Sequence, residues 1–175
     1  MKKLFIKTYG CQMNFYDSDH MSNLLKDSGY TVSEEVKEAD LVILNTCHIR
    51  DKAAEKVYSD LGRIKKVYEN NHLRKPIIAV TGCVAQAEGK EITKRSPWVD
   101  LVVGPQAYTD LPKLIEKIKQ KPDHKQINLK FPEVPKFDLL NFKSKKSKVS
   151  DFITIQEGCD KFCSFCVVPF TRGPE

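Results

Sequence analysis

Leu41-Val42-Ile43-Leu44-Asn45-Thr46-Cys47 opens on four consecutive apolar residues and closes on a cysteine. A run with no polar member has no face to offer water. It reads as a strand buried on both sides, the mark of a parallel sheet covered by helices on each face. Two other stretches repeat it: Leu4-Phe5-Ile6-Lys7-Thr8 leads into Tyr9-Gly10-Cys11, and Pro76-Ile77-Ile78-Ala79-Val80 leads into Thr81-Gly82-Cys83. Tyr30-Thr31-Val32 and Leu101-Val102-Val103 are shorter strands. Helical patterns alternate with them. Met21, Leu24 and Leu25 form a stripe closed by Gly29, with Asp17 or Ser18 placed to cap its start. Ala53, Val57, Leu61, Ile64 and Val67 recur at steps of four and three along a helix from about Ile49 to Tyr68. A further helix is expected from Ala85 to Lys94, and a last one around Leu111, Leu114, Ile115 and Ile118. The expected fold is α/β: a doubly wound, five-stranded, mainly parallel sheet of flavodoxin or Rossmann type over residues 1–120.

Beyond that domain the pattern dissolves. Residues 121–149 read as a basic, proline-containing linker, with Lys143, Lys145, Lys146 and Lys148 as a solvated run. Phe131, Phe137, Leu139, Leu140 and Phe142 are its apolar members available for packing. Phe152-Ile153-Thr154-Ile155-Gln156 then reads as a new strand delivering Gly158-Cys159. So little chain follows that a second core cannot be buried. Residues 150–175 are therefore expected to be the start of a truncated second domain.

Of the 175 residues 41% are hydrophobic, enough for a real core. No apolar run approaches the roughly 20 residues a membrane helix needs. The start, Met1-Lys2-Lys3-Leu4-Phe5-Ile6-Lys7, is too soon broken by Lys7 to be a signal peptide. A cytoplasmic protein without a membrane partner is expected. The formal charge of +6 is compatible with a nucleic-acid partner without demanding one. Lys65, Lys66, Arg74 and Lys75 could touch phosphate, but read first as a solvated helix face and loop.

Six cysteines without a secretory signal argue against a disulfide framework. They fall into two sets of three, Cys11/Cys47/Cys83 and Cys159/Cys163/Cys166, and odd sets cannot pair completely within themselves. If the strand order is 2-1-3-4-5, the first set lies side by side at the carboxyl edge of adjacent strands, about 4.8 Å apart, at the switch point where such sheets bind ligands. Gly10 and Gly82 would permit close backbone approach there. Buried cysteines also serve as inert core residues, and strand-end placement alone leaves both roles open. The second set, Cys-x-x-x-Cys-x-x-Cys with Phe165 before its third member, can converge on one soft metal and leaves a coordination position unfilled. Gln12, Asn14, Asn45, Thr46 and Arg50 border the first set and could orient loops or donate to sulfur, though turn and capping roles serve as well. His20, His48, His72 and His124 show no ligand spacing. Arg172, in Thr171-Arg172-Gly173-Pro174-Glu175, is a candidate to contact substrate or cofactor.

Cys159-x-x-x-Cys163-x-Phe165-Cys166 after an apolar stretch resembles the radical S-adenosylmethionine signature. Thr8-Tyr9-Gly10-Cys11-Gln12-Met13-Asn14, Asn45-Thr46-Cys47-His48-Ile49-Arg50, Thr81-Gly82-Cys83-Val84-Ala85-Gln86 and Val103-Gly104-Pro105-Gln106 resemble the N-terminal domain of methylthiotransferases within that superfamily. The likeness spans essentially the whole chain. Cys-Gln-Met-Asn at the first cysteine is similar to the branch acting on N6-isopentenyladenosine in tRNA. The branches acting on threonylcarbamoyl-adenosine or on a ribosomal protein carry other motifs there.

The resemblance implies an N-terminal fragment of such an enzyme, ending in the first strand and cluster loop of a partial (β/α) barrel. It implies two [4Fe–4S] clusters and S-adenosyl-L-methionine. Cys159, Cys163 and Cys166 would hold the cluster that cleaves S-adenosylmethionine to a radical, and Phe165 would help seat the cofactor. Cys11, Cys47 and Cys83 would hold an auxiliary cluster carrying the sulfur. No catalytic side chain separable from the clusters is implied. The implied partners are tRNA, a flavodoxin- or ferredoxin-type electron donor and a sulfur donor, with the enzyme a monomer. The alternatives are the same chemistry on another substrate, or a non-catalytic iron–sulfur or zinc module. The fragment alone is expected to be inactive.

Overall fold

A computed structural model describes residues 1–48, 51–132 and 154–175, with side chains in the helix Asp51–Asn70 described from residue 54 onward. Six parallel strands form one sheet in the order β2-β1-β3-β4-β5-β6. They are β1 (Lys2–Thr8), β2 (Tyr30–Val32), β3 (Leu41–Thr46), β4 (Ile77–Gly82), β5 (Leu101–Val103) and β6 (Gln126–Asn128). The five expected strands are present in the expected order, and β3 lies at the centre with every residue buried.

The alternation of side chains along β3 explains why its sequence is continuously apolar. Leu41 and Ile43 join Leu4, Met21, Leu25, Leu101, Tyr108, Leu111 and Ile115 on one face. Val42 and Leu44 join Val57, Leu61, Ile78, Val80, Val84 and Ile92 on the other. The first face is covered by α1 (Gln12–Lys26) and α5 (Leu111–Gln120). The second is covered by α2 (Asp51–Asn70), α3 (Cys83–Glu88) and α4 (Lys90–Arg95).

Four local expectations change. Helix α1 starts at Gln12 with Cys11 as its N-cap, so Asp17 and Ser18 sit inside the helix and cap nothing. Both are buried, which a solvent-facing cap would not be. The single helix expected over 85–94 is two short ones, broken at Gly89, whose φ of 52° no right-handed helix accepts. Strand β6 falls in the stretch read as linker; its only apolar residue, Ile127, is too little for a sequence pattern. Thr154, Ile155 and Gln156 are irregular, and Ile155 is exposed, so the strand expected there is not formed by its described part. Phe152 and Ile153, like Ile49, Arg50, Phe137, Leu139, Leu140, Phe142 and the lysine run, lie outside the described residues. Among the described residues no helix is long and apolar enough to cross a membrane.

Residues 154–175 contribute one short helix, α6 (Val168–Arg172), which packs against α3. This contact brings the second cysteine set to the same end of the sheet as the first.

Candidate metal centre

Strand register builds the first set. Thr8 pairs with Asn45, and Thr46 pairs with Gly82, so the three strands end nearly level. Cys11, Cys47 and Cys83 each come just after these ends. All six cysteines are free thiols; Cys47 and Cys83 are buried and Cys11 is half-buried.

Gly10 turns the chain from β1 into α1 at a φ of 107°, where L-residues are strained. A Cβ on Gly10 would lie 2.2 Å from the Cys47 Cβ and 3.0 Å from its sulfur. The glycine therefore lets one cysteine-bearing loop settle on the next cysteine. Gly82 repeats the device against Thr46, whose carbonyl oxygen would be 2.4 Å away. The sequence points to both glycines; what they accommodate is a neighbouring strand end, which only the fold reveals.

Buried amides hold this edge. Asn14 Nδ2 donates to the Tyr9 carbonyl (2.8 Å), and Asn45 Nδ2 donates to the Asn14 carbonyl (2.7 Å) and to Ser18 Oγ (2.9 Å). Thr46 Oγ1 donates to the Thr81 carbonyl at 2.9 Å. These residues thus take the loop-orienting role, by tying the strand ends together. Gln12 is exposed, and Arg50 lies outside the described residues.

The thiols interact. A hydrogen bond with Cys47 is the main cause that pulls the Cys11 thiol down to about 5; burial opposes it, and backbone amides and Arg172 assist. A depressed thiol is closer to the thiolate that ligates metal. Cys11 Sγ also lies 3.8 Å from Asn14 Oδ1, which accepts a 3.0 Å hydrogen bond from Arg172 Nη2. Through the packing of α6 on α3, Arg172 also comes close enough to the Cys83 thiol for the two to interact electrostatically.

Arg172, the candidate contact for substrate or cofactor, is buried at the cysteine-bearing sheet edge. It is 3% exposed, ion-paired with Asp17 at 2.8 Å, and 3.7 Å from Glu157 Oε1. Burial works against its charge, and Asp17, Cys83 and Glu157 more than offset that, raising its pKa above the ordinary arginine value. Its neighbours are thus the sheet edge and its cysteines. No local pattern links Asp17 to Arg172 across so much chain, although a charged residue on the inner side of α1 was a detectable oddity.

The second set is built differently. Cys159 and Cys166 are half-buried and Cys163 is exposed. The Cys166 amide donates to the Cys163 carbonyl at 2.9 Å, closing a turn that brings those two together in sequence and space. Phe165 is 91% exposed, and Phe162 and Phe170 meet edge to face beside it in the sequence.

Both donor sets fit a soft metal by chemistry: three thiols each, free of disulfides, with the first set at adjacent strand ends. Among the described residues no three His, Cys, Asp or Glu side chains are already disposed around one metal position. The backbone that carries the first set is held by the strand register and by the close approach of Gly10 to Cys47.

These features define a doubly wound α/β domain with a thiol-lined carboxyl edge, onto which a second cysteine-bearing segment is docked. The chain belongs to the family described as Uncharacterized protein family UPF0004, which matches residues 3–104, more than half of it. It is similar to curated proteins named tRNA-2-methylthio-N(6)-dimethylallyladenosine synthase. One from Rickettsia canadensis is 59% identical over 177 residues, covering 99% of this chain and 40% of the relative. Those from Rickettsia bellii and Rickettsia prowazekii are each 58% identical over the same span. The chain thus spans about 40% of the length of these relatives.

Proposed function

We propose that this chain is part of a radical S-adenosylmethionine methylthiotransferase acting on tRNA. The substrate is N6-isopentenyladenosine beside the anticodon, and the product is its 2-methylthio derivative. The observation that carries this reading is the 59% identity, over 177 residues, to a protein named for that product. The two cysteine triplets supply the chemistry such a reaction demands. In this reading the sheet domain through β6 is the methylthiotransferase domain, the residues after it up to 149 are a linker, and 150–175 are the opening of the radical core.

Cys11, Cys47 and Cys83 would hold one [4Fe–4S] cluster and Cys159, Cys163 and Cys166 another. When bound, the second supplies the electron that cleaves S-adenosylmethionine, and the first supplies sulfur. The chain's own residues position these groups. Asn14 and Asn45 fix the strand-end loops. The depressed Cys11 thiol favours ligation near neutral pH. Phe165, exposed beside Cys166, would lie against a planar ring of the cofactor. The proposal extends to a cytoplasmic monomer served by a flavodoxin- or ferredoxin-type electron donor and a separate sulfur donor.

The test is mass spectrometry of tRNA nucleosides from a strain lacking the gene, complemented with the full-length gene or its Cys47→Ser version. Only the unaltered gene is expected to restore the methylthio nucleoside, while the mutant accumulates N6-isopentenyladenosine. Unchanged modification in the deletion strain would sink the reading. So would anaerobic reconstitution that loads zinc without acid-labile sulfide.

A further inference from the structure

Arg172 sits where the two cysteine-bearing regions meet. Burying a guanidinium costs several kcal/mol unless partners surround it. Here every partner belongs to one or the other region. Asp17 at 2.8 Å and Asn14 Oδ1 at 3.0 Å come from α1, and Cys83 from the start of α3. Glu157, 3.7 Å away, precedes the second cysteine set. Gln106, in the loop after β5, completes the tie: its Nε2 donates to Glu157 Oε2 (2.9 Å) and to the Arg172 carbonyl (2.8 Å).

The backbone around Arg172 holds the other end. The Cys159 amide donates to the Gly173 carbonyl at 3.1 Å. A Cβ on Gly158 would lie 1.8 Å from the Pro174 carbonyl oxygen and 2.3 Å from that of Gly173. The chain entering the cysteine loop is thus pressed against the chain leaving α6. From Cys159 to Gly173, and from Arg172 through Asn14 to Cys11, each step is a direct contact, while Cys83 is coupled to Arg172 electrostatically.

We propose that Arg172 is a positioning residue for both cysteine sets, fixing their separation and placing a buried positive charge beside the sulfurs of the first. The inference rests on the assignment of both sets as cluster ligands. A buried cation beside ligand sulfur makes electron uptake easier, so its removal should move the potential of the Cys11/Cys47/Cys83 cluster to more negative values. Arg172→Lys keeps the charge but cannot reach Asp17, Asn14 and Glu157 together through one planar group.

The test compares full-length protein with its Arg172→Gln and Arg172→Lys variants. In metal-free protein, maleimide labelling mapped by mass spectrometry should speed up about ten-fold or more at Cys11, Cys83 and Cys159 in Arg172→Gln. Cys163, already exposed, serves as the unchanged reference. After reconstitution, the first cluster's potential should fall in Arg172→Gln and be largely recovered in Arg172→Lys. Asp17→Asn, which keeps the arginine, covers the case in which Arg172→Gln does not fold; it should speed labelling at the same three cysteines less strongly. Equal labelling rates in the variants and the parent overturn the clamp, and equal potentials overturn its electrostatic part. If the unaltered protein takes up no clusters, the functional assignment fails, whereas labelling of the metal-free protein still tests the clamp.

Discussion

Cys11, Cys47 and Cys83 are placed by strand register, whereas Cys159, Cys163 and Cys166 are placed by attachment. The first three follow the ends of β1, β3 and β4, at the centre of a sheet packed on both faces. The last three precede α6, a helix of five residues, and owe their location to Gln106, Arg172 and the pairing of Cys159 with Gly173. A set carried by a sheet inherits the rigidity of the core. A set carried by an attached loop is as precise as its attachment, so its geometry can be altered without unfolding the domain.

The harshest way to break this comparison is to replace a glycine in each region. Gly10→Ala would put a Cβ 2.2 Å from that of Cys47, in a backbone conformation with φ of 107°. Strain and overpacking together should cost about 2–5 kcal/mol, read by urea unfolding. Gly158→Ala meets the Pro174 carbonyl at 1.8 Å, which can be relieved by detaching the segment. It should leave the unfolding midpoint of the sheet domain nearly unchanged while speeding proteolysis in residues 154–175. An equal loss of stability in both variants would erase the distinction between a sheet-borne and an attached set.

The same distinction explains what the sequence makes visible. Leu41 to Leu44 are apolar because both faces of β3 are buried, so the central strand, its neighbours and their terminal cysteines can be read locally. The misread residues are those whose reasons lie far away in the chain. Asp17 looks like a helix cap because caps are commonly aspartate, yet it serves Arg172. Cys11, which takes the N-cap position, makes no side-chain capping bond and gives no such signal. Strand β6 joins the sheet through its pairing with β5, with only Ile127 as a hydrophobic clue. Ile155 belongs to an apolar run in sequence but is exposed, because no sheet in the described residues takes it up.

A middle-sized effect sharpens the role of the amides on the sheet-borne side. Asn45 is fully buried, and its Nδ2 serves both the Asn14 carbonyl and Ser18 Oγ. Asn45→Ala removes both of these buried bonds, leaving Ser18 Oγ with Thr8 Oγ1 alone at 2.7 Å, at a cost of about 1–3 kcal/mol. The loss should be accompanied by faster amide exchange at the start of α1, where Cys11 caps the helix. Unchanged exchange there would mean that the register alone, without the amides, fixes the cysteine edge.

The smallest expected effect concerns the anchor of the same edge to α2. The Tyr9 hydroxyl donates to Asp60 Oδ2 at 2.6 Å, and Lys7 pairs with the same oxygen at 2.8 Å. Burial alone would raise the Asp60 pKa, but hydrogen bonds from Lys7, Tyr9 and Arg63 and the charge of Lys7 hold it below the ordinary carboxylate value. A carboxyl whose folded pKa lies below its unfolded value of about 3.9 stabilises the fold at pH above that value. The contribution is lost as pH falls through the folded pKa. Tyr9→Phe should therefore cost about 1 kcal/mol at neutral pH. It should also flatten the fall in stability between pH 5 and more acid conditions, because one of the bonds that lowers the Asp60 pKa is gone. Parallel acid-unfolding curves for the two proteins would show that Lys7 and Arg63 hold the carboxylate without the tyrosine. The sheet-borne cysteines would then depend on the core and their amides alone.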